Sequence, residues 1–205
     1  MKKRFLVSIL CLLAFNIITL AQTQKSVDEV KGIPIGTNIT MFSATDADGN
    51  TYKLKEALTK GPVVVVFYRG QWCPVCNRHL SNLQDSLQLI YAKGASVIAI
   101  SPEKPALLAT TRKKTKATFT LLHDKDFIIG EMFDVVFDPD KKLVSIYNDK
   151  LKANLDTASS DGSNRLPVPA TYIINKDGVV VWKQFNPDYT KRASVLEIIK
   201  YIPAR

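Results

Sequence analysis

The sequence predicts an α/β fold in which helices flank a mixed β-sheet. Residues 63–68 and 95–100 are short apolar runs rich in Val, Ile and Ala, the pattern of strands buried on both faces. The segment between them repeats its apolar residues with helical spacing. A strand–helix–strand order predicts parallel pairing through a right-handed crossover. Near the C-terminus, Asn-Lys-Asp-Gly at 175–178 separates two further apolar runs, which predicts an antiparallel hairpin and hence a mixed sheet.

Length and composition indicate one folded domain. The chain has 205 residues, of which 46% are hydrophobic and 23% are charged, and both values are typical of a globular protein. The length suits a single domain with a sizeable core. We predict a signal peptide at 1–21, a polar lead-in at 22–36 and one α/β domain at 37–205.

The N-terminus has the layout of a secretory signal peptide. Lys2, Lys3 and Arg4 form a basic start, residues 5–20 are almost unbroken apolar sequence, and Ala21 is a small residue at a plausible cleavage position. This predicts export to a periplasmic or other extracytoplasmic compartment, with an uncleaved N-terminal membrane anchor as the alternative. Cleavage would remove three positive charges from the formal net charge of +9, which leaves +6.

The remaining positive charge is mild, and its densest cluster is Arg112, Lys113, Lys114 and Lys116. We interpret this cluster as the solvated end of a helix, because no aromatic interleaving or nucleic-acid recognition motif accompanies it. The sequence therefore predicts no nucleic-acid partner.

The first half of the domain divides into short elements. Residues 38–45 and 51–54 read as two strands joined by the polar turn at 46–50, which predicts an N-terminal β-hairpin extension. A short helix is predicted near residues 55–58. After the first buried strand, a single helix is predicted over residues 74–92, ended by the Lys-Gly pair that follows.

The second half alternates in the same way. Ser101 is predicted to cap a helix whose first residue is Pro102. The remaining predicted elements are a strand at 119–122, helices at 126–133 and 142–150, a polar loop at 156–164, strands at 170–174 and 179–183, and a closing helix at 190–201.

Once the signal peptide and its Cys11 are set aside, two cysteines remain, Cys73 and Cys76. A Cys-x-x-Cys pair closes too small a loop to stabilise the fold much, so the pair is better placed for chemistry. The pair opens a helix, where free backbone N–H groups favour thiolate over thiol. We expect Cys73, at the helix start, to be the more exposed of the two and Cys76 the more shielded.

Three neighbours are predicted to support the thiols. Arg69 would add positive charge that lowers a thiol pKa, Trp72 would form an apolar wall, and Pro74 suits the first helical turn because it lacks an N–H.

Two alternatives need no redox chemistry. The first is a zinc site, which would have to recruit His79 and His123, and the second is a pair of inert buried thiols. We expect His79 to be an exposed helix residue and His123 to be structural, and we predict neither a metal nor an organic cofactor.

Three stretches, 67–76, 166–172 and 186–192, carry a family resemblance. Together they resemble the peroxiredoxin-like branch of the alkyl hydroperoxide reductase/thiol-specific antioxidant family, within the thioredoxin-fold superfamily. The resemblance implies a thioredoxin-like fold over essentially the whole mature chain. It also implies that Pro169 is a cis-proline facing the Cys-x-x-Cys, with an ordinary proline at a strand entry as the alternative.

The sequence departs from the family pattern at the site itself. Aligned on Phe-Tyr at 67–68, the family's peroxidatic cysteine falls on Cys76. Its active-site proline falls on Arg69, its Thr or Ser falls on Cys73, and its later arginine falls on Pro169.

Three functions follow. In the first, the Cys73/Cys76 pair reduces hydroperoxides and forms a disulfide that an external, thioredoxin-like thiol reductant reopens. In the second, Cys73 attacks protein disulfides and Cys76 resolves the mixed disulfide. The third is a non-catalytic redox-sensing or binding module. The oligomeric state is not predicted.

Overall fold

The computed structural model describes residues 24–203. The predicted signal peptide lies outside this range, so it stays a prediction, as does the alternative of a membrane anchor. Within residues 24–203, no helix combines the length and apolar character that a membrane span requires.

The described strands build a seven-stranded mixed sheet in the order β2-β1-β5-β4-β3-β8-β9, and β6 pairs with β7 as a separate two-stranded ribbon. β3, β4 and β5 are parallel neighbours, whereas β8 runs antiparallel to both β3 and β9. The mixed sheet predicted from the sequence is thus confirmed. The strands are β1 Ser43–Asp46, β2 Thr51–Lys53, β3 Val63–Phe67, β4 Ser96–Ser101, β5 Thr120–His123, β6 Val136–Phe137, β7 Leu166–Pro167, β8 Ala170–Ile174 and β9 Val180–Phe185.

Helices cover both faces of the sheet. Residues of α2, α4 and α8 join one buried cluster, and residues of α1 and α5 join the other. The helices are α1 Leu54–Lys60, α2 Pro74–Asp85, α3 Leu87–Ala92, α4 Pro105–Thr115, α5 Ile128–Met132, α6 Lys141–Leu151, α7 Leu155–Ala158 and α8 Val195–Tyr201, with a 3-10 turn at Lys125–Phe127.

Strand β3 shows why this stretch of sequence is so apolar. Its side chains alternate between the two buried clusters, with Val64 and Val66 in one and Val65 and Phe67 in the other. A central strand covered on both faces has no polar side, so every position is apolar. The cluster that contains Val64 also contains both cysteines, which follow the end of this fully buried strand.

The prediction of a single helix over residues 74–92 is wrong, because the structure has two helices there. The helix breaks at Ser86, whose backbone (φ −112°, ψ 13°) leaves the helical region, so that α2 and α3 are separate. The apolar spacing continues across the break, and Leu83, Leu87 and Ile90 are all buried in one cluster. The spacing of the apolar residues therefore predicted correctly which face of this segment is buried, but it did not predict the break in the backbone.

The helix start predicted at Ser101 and Pro102 is also wrong. Ser101 is the last residue of β4, and its backbone carbonyl accepts the N–H of Asp124 (2.8 Å). The Ser101 hydroxyl accepts the N–H of Glu103 (3.3 Å) in a short turn, and the helix begins only at Pro105. Pairing with β5 thus keeps Ser101 in an extended strand, although the local sequence alone predicts that Ser101 caps a helix.

Two element ends shift for similar reasons. The strand predicted at 38–45 is confined to β1, with only an isolated bridge between Asn38 and Val179 further upstream. The closing helix begins at Val195 rather than at residue 190, because Ser194 caps it by accepting the N–H of Glu197 (3.1 Å). The predicted C-terminal hairpin and the helix near 142–150 are confirmed as β8–β9 and α6.

Candidate active site

The candidate site is the loop between β3 and the start of α2. The N–H of Tyr68 donates to the Ile100 carbonyl (3.0 Å), which continues the β3–β4 pairing by one residue. The loop then turns, and the N–H of Cys73 donates to the Gly70 carbonyl (3.1 Å). These bonds carry the chain from the sheet centre directly into the helix that holds both cysteines.

Cys73 and Cys76 are joined by a disulfide, with their Cα atoms 5.3 Å apart. Cys73 is the N-cap residue of α2 and Pro74 occupies the first helical turn, as predicted. The Cys73 sulfur accepts the backbone N–H of Cys76 (3.2 Å) and also a hydrogen bond from Nη2 of Arg69 (3.2 Å). A helix N-terminus and a guanidinium therefore converge on one sulfur.

A second arginine, Arg192, donates a hydrogen bond to the sulfur of Cys76. Nη2 of Arg192 donates to the Cys76 sulfur at 3.6 Å, across the gap between α2 and the segment that precedes α8. Burial and the charge of Arg69 lower the pKa of Arg192 to about 10, so the guanidinium remains charged at neutral pH. No carboxylate lies within salt-bridge distance of Arg69 or Arg192 in the described part of the chain. The charge of Asp188 acts on Arg192 without forming a salt bridge, so both guanidinium groups keep donors for the sulfurs.

Arg69 is enclosed by aromatic rings. Its guanidinium carbon lies 5.0 Å from the ring centroid of Trp72, 4.9 Å from that of Tyr147 and 3.9 Å from that of Tyr189. Nη1 also donates to the Tyr147 hydroxyl (2.6 Å). Burial lowers the pKa of Arg69, and stacking on aromatic faces offsets part of the cost of burying its charge.

The prediction that Cys73 is the more exposed cysteine is wrong. Cys73 is 0% exposed and Cys76 is 1% exposed. The wall that covers them includes Trp72, as predicted, but also Tyr147 from α6, which belongs to the same buried cluster. The hydrogen bond between Arg69 and Tyr147 joins residues 78 positions apart, so the local pattern around the cysteines does not predict it.

His79 is likewise buried, at 8% exposure, where an exposed helix residue was expected. Burial and the nearby charge of Arg192 lower the pKa of His79 to about 4, so its imidazole is neutral at pH 7. His123 is structural, as expected, since its Nδ1 lies 2.8 Å from the Glu103 carbonyl oxygen. Among the residues that the structure describes, no group of three or more His, Cys, Asp or Glu side chains is arranged to hold a metal ion.

Pro169 does not adopt the cis form that the resemblance implied. Pro169 joins β7 to β8 through a trans peptide bond, the isomer that X–Pro bonds favour, and residues 24–203 contain no cis bond. Its neighbour Val168 nevertheless belongs to the buried cluster that contains both cysteines.

Glu103 is a site residue that the sequence analysis missed. It follows β4, and its Oε2 accepts the backbone N–H of Gln71 (2.7 Å) inside the cysteine loop. Burial raises the pKa of Glu103 to about 7, while the Gln71 N–H and the charge of Lys114 act in the opposite direction. Its position after the second buried strand was the available signal, because side chains after adjacent parallel strands meet at one edge of the sheet.

Known proteins resemble this chain over most of its length. The sequence profile of the AhpC/TSA family matches residues 35–183. The putative peroxiredoxin Rv2521 of Mycobacterium tuberculosis (strain ATCC 25618 / H37Rv) is 28% identical over 155 residues, covering 76% of this chain and 87% of the relative. The chloroplastic peroxiredoxin Q of Populus jackii is 29% identical over 150 residues, which are 72% of this chain and 59% of that protein.

Solved structures confirm the thioredoxin-like fold predicted from the resemblance. Peroxidoxin BcpB from Mycobacterium tuberculosis superposes with a TM-score of 0.61 at 19% identity, over 75% of this chain and 86% of that one. The mitochondrial 2-Cys peroxiredoxin from Plasmodium falciparum gives a TM-score of 0.61 at 15% identity, over 82% of this chain and 90% of that one. At these identities the likeness concerns the fold.

Proposed function

Because the chain belongs to the AhpC/TSA family, we propose that it is a thiol-dependent peroxidase that reduces hydroperoxides through a cycle between the Cys73/Cys76 dithiol and its disulfide. The observation that carries this proposal is the bridged pair of sulfurs, each of which accepts a hydrogen bond from its own guanidinium. Such an arrangement stabilises both thiolates when the bridge is reduced, and the thiolate is the reactive form.

In the first step the Cys76 thiolate attacks the outer oxygen of a hydroperoxide. An S–O bond forms and the O–O bond breaks, so that Cys76 becomes a sulfenic acid, and the departing alkoxide or hydroxide takes a proton from solvent to become the alcohol or water. The family resemblance at 67–76 supports this role for Cys76. Arg192 supplies the positive charge beside it, in place of the arginine that the family carries where this chain has Pro169.

In the second step the Cys73 thiolate attacks the sulfenic sulfur of Cys76. The S–S bond forms and the S–O bond breaks, and the departing hydroxide takes up a proton to become water. Arg69 and the Cys76 N–H hold Cys73 ready for this attack. A dithiol reductant then reopens the bridge by thiol–disulfide exchange and is itself oxidised to a disulfide.

The burial of both sulfurs favours a small oxidant. Cys73 and Cys76 are 0% and 1% exposed, and a hydroperoxide needs a narrower path to them than a protein disulfide does. We propose that the reductant is a thioredoxin-like thiol donor. If residues 1–21 direct export, that donor is extracytoplasmic or linked to the membrane, because the cytosolic thiol pool is then out of reach.

A second candidate function is thiol–disulfide exchange on protein substrates. The observation that favours it is the Cys73 sulfur, which accepts two hydrogen bonds where Cys76 accepts one longer bond. This makes Cys73 the better-stabilised thiolate and a competent attacking group.

Turnover assays separate these functions. We expect the protein, supplied with thioredoxin and its reductase, to consume hydrogen peroxide or an alkyl hydroperoxide, and we expect Cys73→Ser and Cys76→Ser each to abolish turnover. Reduction of insulin disulfides without peroxide consumption would instead establish the exchange function. If neither substrate turns over, the enzyme proposal fails and a sensing or binding role is favoured.

A further inference from the structure

We propose that Tyr147 is a positioning residue whose hydroxyl holds the Arg69 guanidinium on the Cys73 sulfur and so keeps that thiol ionised. The inference rests on the proposed function, in which the Cys73 thiolate closes the disulfide. Tyr147 contacts neither sulfur through a hydrogen bond, so its effect passes through Arg69.

The guanidinium forms a bridge between the two groups. Nη1 of Arg69 donates to the Tyr147 hydroxyl at 2.6 Å, and Nη2 of the same side chain donates to the Cys73 sulfur at 3.2 Å. Because a guanidinium is planar and rigid, fixing one nitrogen restricts where the other points. The Nε atom of Arg69 is buried without a partner, so these two bonds are the hydrogen bonds that orient it.

Tyr147 is itself held firmly. Its ring lies 5.0 Å from the ring of Trp72, and its side chain is buried. Its backbone carbonyl accepts the N–H of Ala153 (3.1 Å), which ties the end of α6 to the turn that follows. The hydroxyl therefore presents a fixed acceptor to Arg69.

Other charged or titratable groups near the site hold Arg69 less firmly than Tyr147 does. Arg192 lies on the Cys76 side and repels Arg69. Tyr189 covers the guanidinium with its ring, and its hydroxyl also favours the charged form of Arg69. Tyr189 is 38% exposed, however, so its position is less constrained than that of the buried Tyr147. Glu103 is engaged with the Gln71 N–H on the other side of the loop.

Removing the Tyr147 hydroxyl would leave a guanidinium N–H buried and unpaired. A buried donor that loses its acceptor carries an unfavourable free energy, which is relieved if the side chain moves. Arg69 would then swing away from Cys73 toward solvent or toward Tyr189. The Cys73 thiolate would lose its charged donor while keeping the backbone N–H of Cys76.

The first experiment measures the ionisation of Cys73 alone. In a Cys11→Ser/Cys76→Ser background, Cys73 is the one thiol of the 205-residue chain, and the rate of iodoacetamide alkylation against pH reports its pKa. We expect Tyr147→Phe to raise that pKa by about one unit, the effect of losing one charge-assisted donor. Tyr91→Phe, an exposed tyrosine on α3, is the matched control and should leave the profile unchanged.

A double-mutant cycle tests whether the effect passes through Arg69. Arg69→Met should raise the Cys73 pKa at least as much as Tyr147→Phe, and adding Tyr147→Phe to Arg69→Met should then change nothing. Additive shifts would overturn the proposal, as would an unchanged profile in Tyr147→Phe. If Tyr147→Phe does not fold, the Arg69→Met profile still decides, because an unchanged Cys73 pKa in that variant would overturn the proposal.

The second experiment connects the contact to the reaction. In stopped-flow oxidation by hydrogen peroxide, Tyr147→Phe should leave sulfenic acid formation at Cys76 unchanged and slow disulfide formation about tenfold at pH values below the wild-type Cys73 pKa. A merely structural role would slow both phases without moving the pH profile, which would contradict the proposal. If the wild-type protein is not oxidised, the peroxidase proposal fails while the alkylation profile still decides the role of Tyr147.

Discussion

Glu103 offers a quantitative test of how the cysteine loop is held. Its carboxyl group is 2% exposed, one oxygen accepts the Gln71 N–H at 2.7 Å, and the other oxygen is buried without a partner. Burial raises the Glu103 pKa from an ordinary value of 4.5 to about 7. Glu103→Gln removes the ionisation and keeps an oxygen for Gln71.

The sign of the effect follows from the raised pKa. A carboxyl group that binds its proton more tightly in the folded state contributes stability that is fully present below pH 4.5 and is lost as the pH rises to about 7. A pKa difference of about 2.5 units corresponds to about 3 kcal/mol. Because glutamine does not ionise, we expect the stability of Glu103→Gln relative to wild type to rise by about 3 kcal/mol between pH 4 and pH 8.

Urea unfolding of the oxidised protein, followed by tryptophan fluorescence at several pH values, measures this difference. Asp124, whose pKa burial raises to about 6, titrates in both proteins and cancels in the comparison. Glu197→Gln, at an exposed position on α8, is the control and should parallel wild type. A stability difference between Glu103→Gln and wild type that stays constant from pH 4 to pH 8 would refute the reasoning.

Two further predictions concern the same loop. Arg192→Met should slow oxidation of Cys76 by peroxide about tenfold, through loss of a nearby positive charge, with Arg192→Lys less impaired; equal rates in single-turnover kinetics would argue against a role for this arginine. Gly70→Ala should lower the free energy of unfolding by about 1–3 kcal/mol, because a Cβ there would lie 2.5 Å from a Glu103 oxygen and 2.6 Å from the Trp72 indole nitrogen. An unchanged urea midpoint would contradict that steric argument.

The sequence predicted the features that local patterns determine. The apolar run of β3 and the Asn-Lys-Asp-Gly turn of the β8–β9 hairpin both specify their structure within a few residues. In the turn, Gly178 adopts φ +81° and the N–H of Val179 donates to the Asn175 side chain (2.9 Å). The placement of Cys73 and Pro74 at the helix start is equally local.

The features that the sequence did not predict depend on contacts between distant segments. Arg192, in the 186–192 stretch that carries part of the resemblance, reaches Cys76 across 116 positions of sequence. Tyr147 and Glu103 come from two other elements, and neither has a local pattern that marks it as part of the site. The burial of His79 has the same cause, because the segment before α8 packs against an otherwise exposed helix face.

The central claim is that the Cys73/Cys76 pair reduces hydroperoxides, and stopped-flow oxidation of the reduced protein by hydrogen peroxide tests it most directly. The fluorescence of Trp72, which is packed beside the site, and of Trp182 would follow the reaction in wild type, Cys73→Ser and Cys76→Ser. We expect oxidation that survives the loss of Cys73 and vanishes with the loss of Cys76. Oxidation no faster than that of a free thiol, together with rapid reaction of Cys73 with protein disulfides, would contradict the account and establish an exchange protein.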